Sequence, residues 1–394
     1  MIKYRKILLI GLLLLLGCDN SNNPFNDSEP YNLITIDIGE VRDLDYSDMS
    51  KQLFVGTESE GIYIYNIESE VIPVNGIQLS DSVYLSTLYE NIEWGEGKDI
   101  RDIQYSNNTS ILYALDRFGY TYHGYLPHLL GGETNPMGLT CSDTLLTNIC
   151  AFTQTHATKF ILDDSNESPE LYILYKHNAA NELYTEQSYS SLKFMDYFIA
   201  PQQSIDFCEF FSTCENEAIN VQDTLGYKVN DVFYLNDKIY IANPRDSINS
   251  FQIYNVGSDF ITEENDTILN GEVIDEFLTE SEVKSIYAVN DYVLAGTGQG
   301  CYITLLEGGG LSDNQDSKLL LAENYAIHDI YFSENKLILS AGIEGIIVYN
   351  WDGNSINVNE ILRIHSSYAY TARFINNMYF IATKNGLEIY NIEE

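Results

Sequence analysis

The sequence predicts an all-β fold: a seven-bladed β-propeller of four-stranded blades, its ring closed by an N-terminal strand that completes the C-terminal blade. Three observations carry this. A motif returns seven times along the 394 residues. Each copy alternates apolar and polar residues with the period of a strand, between polar or Gly-containing turns. No long stretch has helical periodicity, which a βαβ array would require.

The copies run in order. The first begins at Val41, "VRDLDYSDMSKQLFVGTESEGIYIYNI", and the second at Ile100, "IRDIQYSNNTSILYALDRFGYTYHGYL". A degenerate third begins at Ala157, "ATKFILDDSNESPELYILYKHN", and the fourth at Val229, "VNDVFYLNDKIYIANPRDSINSFQIYNV". The fifth begins at Val283, "VKSIYAVNDYVLAGTGQGCYITLL", and the sixth at Ala326, "AIHDIYFSENKLILSAGIEGIIVYN". The seventh runs from about Thr371, "TARFINNMYFIATKNGLEIYNI". Each copy supplies three strands, and a fourth fits the less regular stretch before the next copy; "VIPVNGIQL" at Val71–Leu79 is an example. Four strands at a period of about 43 to 73 residues describe a propeller blade. A parallel β-helix would repeat far sooner. The seventh copy stops after its third strand, and "NLITIDI" at Asn32–Ile38 is left without a partner. Pairing the two would close the ring and remove an exposed sheet edge.

Residues 31–394 therefore read as the propeller domain, with irregular insertions around 126–223. The segment before it reads differently. In "MIKYRKILLIGLLLLLGCDN", Lys3, Arg5 and Lys6 precede an apolar run, Ile7–Leu16, that is short for a membrane span. The sequence Leu15-Leu16-Gly17-Cys18 follows. It resembles the lipobox of bacterial lipoproteins. The resemblance implies that residues 1–17 are a signal peptide, and that Cys18 carries the lipid and becomes the mature N-terminus. Residues 18–30 then form the lipidated Cys and a flexible, polar tether. Asp19 is similar to an inner-membrane retention signal in some bacteria and to a companion of surface display in others, so the choice of membrane stays open. The expected location is the bacterial cell envelope, lipid-anchored and extracytoplasmic.

Charge narrows the partners. Asp and Glu number 58 against 20 Lys and Arg, a formal net charge of −38. Such a surface repels phosphate backbones, so no nucleic-acid partner is expected. The 31 Tyr residues suit half-buried strands.

Five cysteines remain beyond Cys18. Cys141 with Cys150, and Cys208 with Cys214, are close in sequence and lie where the repeat is broken, so both pairs are candidate disulfides. Spacing alone leaves cross-pairing open. Cys301 sits in an expected strand and reads as a small buried apolar residue.

Candidate chemistry is sparse. Asp43, Asp102, Asp231 and Asp329 recur at one blade position near the start of the innermost strand. A short carboxylate there can accept backbone N–H groups between blades. The alternative is a ring of carboxylates holding a hard cation such as Ca²⁺. Ser285 and Ala372 occupy or approach the position in other copies. "GTGQGC" at Gly296–Cys301 looks like a phosphate loop, but the same slot holds "GTESEG" in the first copy, and a strand follows where a helix is required. It reads as a tight strand-to-strand turn. The six His residues are scattered, and no nucleophile elbow occurs. The least repetitive region contains "DYFIAPQQSIDFCEFFSTC", which makes Phe207, Phe210 and Phe211 the binding-face candidates.

The repeat unit resembles the LVIVD-type propeller repeat. His328-Asp329-Ile330, Leu337-Ile338-Leu339-Ser340-Ala341 and Gly345-Ile346-Ile347-Val348 carry the match. "Gly-Thr…Gly-Ile-Tyr-Ile-Tyr", at Gly56-Thr57 and Gly61–Tyr65, is also similar to two-component-sensor propellers. The resemblance implies a seven-bladed, extracytoplasmic, mostly non-enzymatic scaffold. The expected function is a binding or scaffolding module, monomeric, held at the membrane by its lipid, with an envelope protein or glycan as partner. No cofactor is expected, and Ca²⁺ is the one candidate ion. The alternative is a metal-dependent, lactonase-like hydrolase with its site at the channel mouth.

Overall fold

A computed structural model describes residues 33–69, 76–79, 83–89, 98–117, 121–126, 157–163, 170–177, 189–196, 219–220, 229–236, 238–243, 249–255, 259–261, 267–269, 272–312, 314 and 318–391. Cys18, the tether, Cys141, Cys150, Cys208, Cys214, Phe207, Phe210 and Phe211 lie outside these residues. Among the described residues no helix is long and apolar enough to cross a membrane.

Every named element is a β-strand. Among the described residues the strands form seven antiparallel sheets of three to five strands, plus a two-stranded hairpin at Asp259–Ile261 and Thr267–Leu269. Sheet 1 runs Val41–Ser47, Gln52–Thr57, Ile62–Ser69, Val83–Tyr89, with Ile77–Gln78 on its outer edge. Sheet 2 is Ile100–Ser106, Ile111–Asp116 and Thr121–Tyr125; sheet 3 is Ala157–Asp163, Glu170–His177, Tyr189–Asp196 and Ile219–Asn220. Sheet 4 is Asp231–Leu235, Lys238–Ala242, Ser250–Asn255 and Glu272–Leu278. Sheet 5 is Val283–Val289, Tyr292–Thr297 and Gly300–Glu307, which pairs with both Gly310–Leu311 and Lys318–Leu321. Sheet 6 is Asp329–Ser333, Lys336–Ser340, Ile346–Asn350 and Asn359–Ile364. Sheet 7 is Ala369–Ile375, Met378–Thr383, Gly386–Asn391 and, from the other end of the chain, Leu33–Ile36.

Two elements differ from the sequence reading. The fourth strand of sheet 1 is Val83–Tyr89, and among the described residues of Val71–Leu79 Ile77–Gln78 pairs on the outer side of that strand. Val83–Tyr89 has the alternation a fourth strand needs, with Val83 and Leu85 buried and Tyr84 between them part-exposed. Val71–Leu79 contains Pro73, which cannot donate to a ladder. The first strand of sheet 7 starts at Ala369 rather than Thr371, because a bulge between them shifts the register.

Why these segments fold this way is local. Ser333↔Lys336 and Ile375↔Met378 close two-residue hairpins, and Glu334, Asn335, Asn376 and Asn377 all take positive φ, as a type I′ turn demands. The Thr ending the second strand donates its hydroxyl across the next turn: Thr57 to the Gly61 carbonyl at 2.9 Å, Thr297 to Gly300 at 2.9 Å, Thr383 to Gly386 at 2.8 Å. "GTGQGC" is one of these turns. The Gly that opens the third strand is required twice over. At Gly345 φ is +82°, and a Cβ there would stand 1.9 Å from the Ile364 carbonyl oxygen of the fourth strand. At Gly386 φ is +128°, and the obstructing atom is the Ile36 carbonyl oxygen at 2.2 Å.

The core lies between sheets. The second strands Gln52–Thr57, Ile111–Asp116, Tyr292–Thr297 and Met378–Thr383 are buried at every residue. Apolar clusters join sheet 1 to sheet 2, sheet 4 to 5, 5 to 6, 6 to 7 and 7 to 1. Cys301 is fully buried in the cluster between sheets 5 and 6, and its thiol is free. The first strand of each sheet contacts the first strand of the next, and that of sheet 7 contacts that of sheet 1.

Candidate binding site on the inner strands

One register position recurs on the first strands. It holds Asp43, Asp102, Lys159, Asp231, Ser285, Asp329 and Thr371, opposite Gly56, Leu115, Leu174, Ala242, Gly296, Ser340 and Ala382 respectively. A bulge just before this position in sheets 1, 2, 3, 5 and 7 aims the residue. The sequence pattern correctly groups the four Asp residues. It places Ala372 near the slot, whereas Thr371 occupies it, for the same bulge.

Three of the carboxylates do the same job. Asp43 accepts the Ile103 N–H at 2.9 Å, Asp102 accepts the Phe160 N–H, and Asp231 accepts the Ile286 N–H at 2.8 Å. In each case the donor follows the slot residue on a neighbouring first strand. Asp45, two residues on from Asp43, accepts the Tyr105 N–H at 2.7 Å. Asp329 differs: it accepts the Thr371 hydroxyl at 2.6 Å. The carboxylates thus cross-link strands that share no backbone ladder.

Burial works against these charges. Burial, then the charge of Asp102, holds Asp43 well above the usual carboxylate range. Burial pushes Asp102 to about 6 despite Lys159, and Asp45 to about 6 despite Arg373. Asp231 is also raised by burial, although the Lys159 ammonium pulls it back. Lys159 forms an ion pair with Asp231. Burial opposes the charged ammonium, but Asp231 and Asp102 outweigh it and raise its pKa. Arg373 donates from Nη1 to the Thr371 hydroxyl at 2.6 Å and to the Ala372 carbonyl at 3.0 Å, lies 3.8 Å from Asp329, and stacks over Tyr331 at 4.6 Å. His328, next to the slot, has its pKa lowered by burial and by Lys284.

Asp43, Asp45, Asp102, Lys159, Asp329 and Arg373 line a cavity of about 530 Å³ bounded by the first strands of sheets 1, 2, 3, 6 and 7. At one wall Arg42 pairs with Glu40 at 2.7 Å and Glu58 at 3.0 Å and lies over the Tyr370 ring at 4.8 Å. Arg101 pairs with Asp99, and the Tyr370 hydroxyl donates to Glu40. Among the described residues no group of three or more His, Cys, Asp and Glu is disposed to hold a metal ion. Lys159 and Arg373 are what the sequence reading misses. Aligning "ATKFI" with "IRDIQ" puts Lys159 in the slot of Asp102, a signal hidden by the degeneracy of the third copy.

No family model matches the chain, and no curated sequence matches it. Solved structures do match. A chain from "Crystal Structure of Mitotic Checkpoint Complex" superposes with a TM-score of 0.56 at 12% identity, over 95% of this chain and 98% of that one. "Crystal structure of WD40 beta propeller domain of Doa1" superposes with a TM-score of 0.53 at 10% identity, over 92% of this chain and 96% of that one. At these identities the likeness concerns the fold alone, and the fold is that of a β-propeller.

Proposed function

We propose that the chain is a seven-bladed, ring-closed propeller, tethered through lipid on Cys18 to the outside of a bacterial membrane, where it acts as a binding or scaffolding module. The observation that carries the binding reading is the use made of the inner-strand carboxylates. Asp43, Asp102 and Asp231 each hold a neighbouring strand by its backbone, which is the work of a rigid support rather than of a reacting centre. The pairing of Leu33–Ile36 with Gly386–Asn391 and the contact between the first strands of sheets 7 and 1 support the closed ring. The lipobox-like Leu15–Cys18 supports the anchor. One of the similar propellers comes from a structure whose title names a complex, which favours a protein as partner. Phe207, Phe210 and Phe211 are the residues proposed to meet it.

Anchoring is tested by expressing the full chain in a bacterium with radiolabelled palmitate. The wild type should take up label and partition into detergent; Cys18→Ala should do neither. Equal labelling of both would remove the anchor. Partner binding is read by in-cell cross-linking. Adducts that persist unchanged after Phe207, Phe210 and Phe211 are replaced by Ser would remove that face from the reading.

A further inference from the structure

The cavity differs from the rest of the molecule in its charge. The whole chain carries 58 acidic and 20 basic residues, nearly three to one. The cavity wall carries four of each: Asp43, Asp45, Asp102 and Asp329 against Arg42, Arg101, Lys159 and Arg373. A fifth of the chain's cations are gathered at one place, and three of them are paired with carboxylates beyond the wall: Arg42 with Glu40 and Glu58, Arg101 with Asp99, and Lys159 with Asp231. A cationic ligand would find better attraction almost anywhere on the outer surface, and an anionic one would have to approach through a strongly negative field. Neither sign of net charge is what this wall is arranged to take.

Its chemistry is otherwise that of a polar site. Small-molecule pockets of about 300–1,000 Å³ are lined mostly by apolar side chains with a few polar ones. Here the proportion is reversed: Ile103 and Leu162 are the aliphatic residues of the wall, and the rest are charged, amide, imidazole, threonine or tyrosine side chains. Donors and acceptors remain open. Gln104 donates its amide to the Phe160 carbonyl at 2.9 Å, which leaves its own side-chain oxygen available among the described residues. Arg373 uses only Nη1 among the described residues, leaving Nε and Nη2. The Tyr105 ring is stacked on Phe54 at 4.6 Å and the Tyr370 ring lies under Arg42, so the wall presents polar groups rather than open ring faces. Hydroxyl groups, each both donor and acceptor, satisfy such a wall.

We propose that this cavity binds a neutral carbohydrate, one or two sugar rings in size. The proposal deepens the binding reading above and rests on it, and it places a second, small-ligand site at the inner strands, apart from the loop face.

The test is calorimetric titration of the full chain, purified in a detergent without a sugar headgroup. The probes are maltose, cellobiose and lactose, with glucosamine and glucuronate as the charged comparisons. Saturable binding of at least one neutral disaccharide is expected, about tenfold tighter than either charged sugar. Gln104→Ala should weaken it by about tenfold, or about 1.4 kcal/mol, with a small fall in melting temperature from the lost bond to the Phe160 carbonyl. Should Gln104→Ala lose the fold, Arg101→Ala, a partly exposed position, makes the same comparison. The proposal is overturned if no sugar binds, if only a charged sugar binds, or if both variants bind like the wild type. These outcomes are independent of the cross-linking experiment, which reads the loop face.

Discussion

The second strands and the first strands of the same sheets are built on opposite terms. Met378–Thr383 is buried at every residue and packed on both sides by apolar neighbours from adjoining sheets. Its neighbour Ala369–Ile375 carries Thr371 and Arg373 into a polar cavity, and the equivalent strands carry Asp43, Asp102, Lys159 and Asp329 there. The second strands supply cohesion through burial, which needs no particular partner. The first strands hold one another through specific hydrogen bonds and ion pairs, some with an electrostatic cost. Stability and recognition are thereby separated into adjacent layers.

The contrast is broken most forcefully from the apolar side. Phe380 is fully buried between sheets 7 and 1. Phe380→Ala should cost about 3–5 kcal/mol of unfolding free energy by denaturant titration, since it leaves a cavity as well as losing burial. A loss below about 1 kcal/mol would show that the second strand is not the source of cohesion.

The polar layer should respond less and with more specificity. Asp231→Ala strands Lys159 without its partner and removes the acceptor for the Ile286 N–H. About 2–3 kcal/mol is expected, below the range for a fully buried pair because the Lys159 side chain is 29% exposed. Adding Lys159→Met should recover part of the loss, because the uncompensated charge goes with it. A double variant as unstable as the sum of its parts would mean that the pair is not coupled.

The smallest effect is the most diagnostic. Asp45 and Asp102 titrate near 6 in the folded protein, against about 4 when unfolded. The folded state therefore binds more protons between those values. These groups add stability that is fully present below pH 4 and is lost as the pH rises through 6. Asp45→Asn should raise the melting temperature at pH 7.5 and change it little at pH 4.5. Repulsion across so acidic a chain also favours low pH, so only the difference between variant and wild type counts. An equal shift at both pH values would contradict the raised pKa.

The sequence made the repeat legible because hairpins leave a period of two and a Gly where the third strand opens. Asp43, Asp102, Asp231 and Asp329 were legible as one position for the same reason. What escaped was anything set by bulges or by partners from another copy. Thr371 rather than Ala372 fills the slot through a one-residue shift. Val83–Tyr89 is the fourth strand of sheet 1, while the stretch expected there contains Pro73, which has no N–H to donate. Lys159 was hidden by the degeneracy of the third copy, and its partner, Asp231, belongs to the next one.

The pairing of Leu33–Ile36 with Gly386–Asn391 has a kinetic consequence. Leu33–Ile36 leaves the ribosome long before Gly386–Asn391, the strand it must pair with. Contacts between such distant segments are slow to make, so sheet 7 should be the rate-limiting assembly step and the last to acquire protection from hydrogen exchange. Until then the exposed edge at Gly386–Asn391 is open to the same strand of another copy, and the window for domain-swapped association lasts as long as that search.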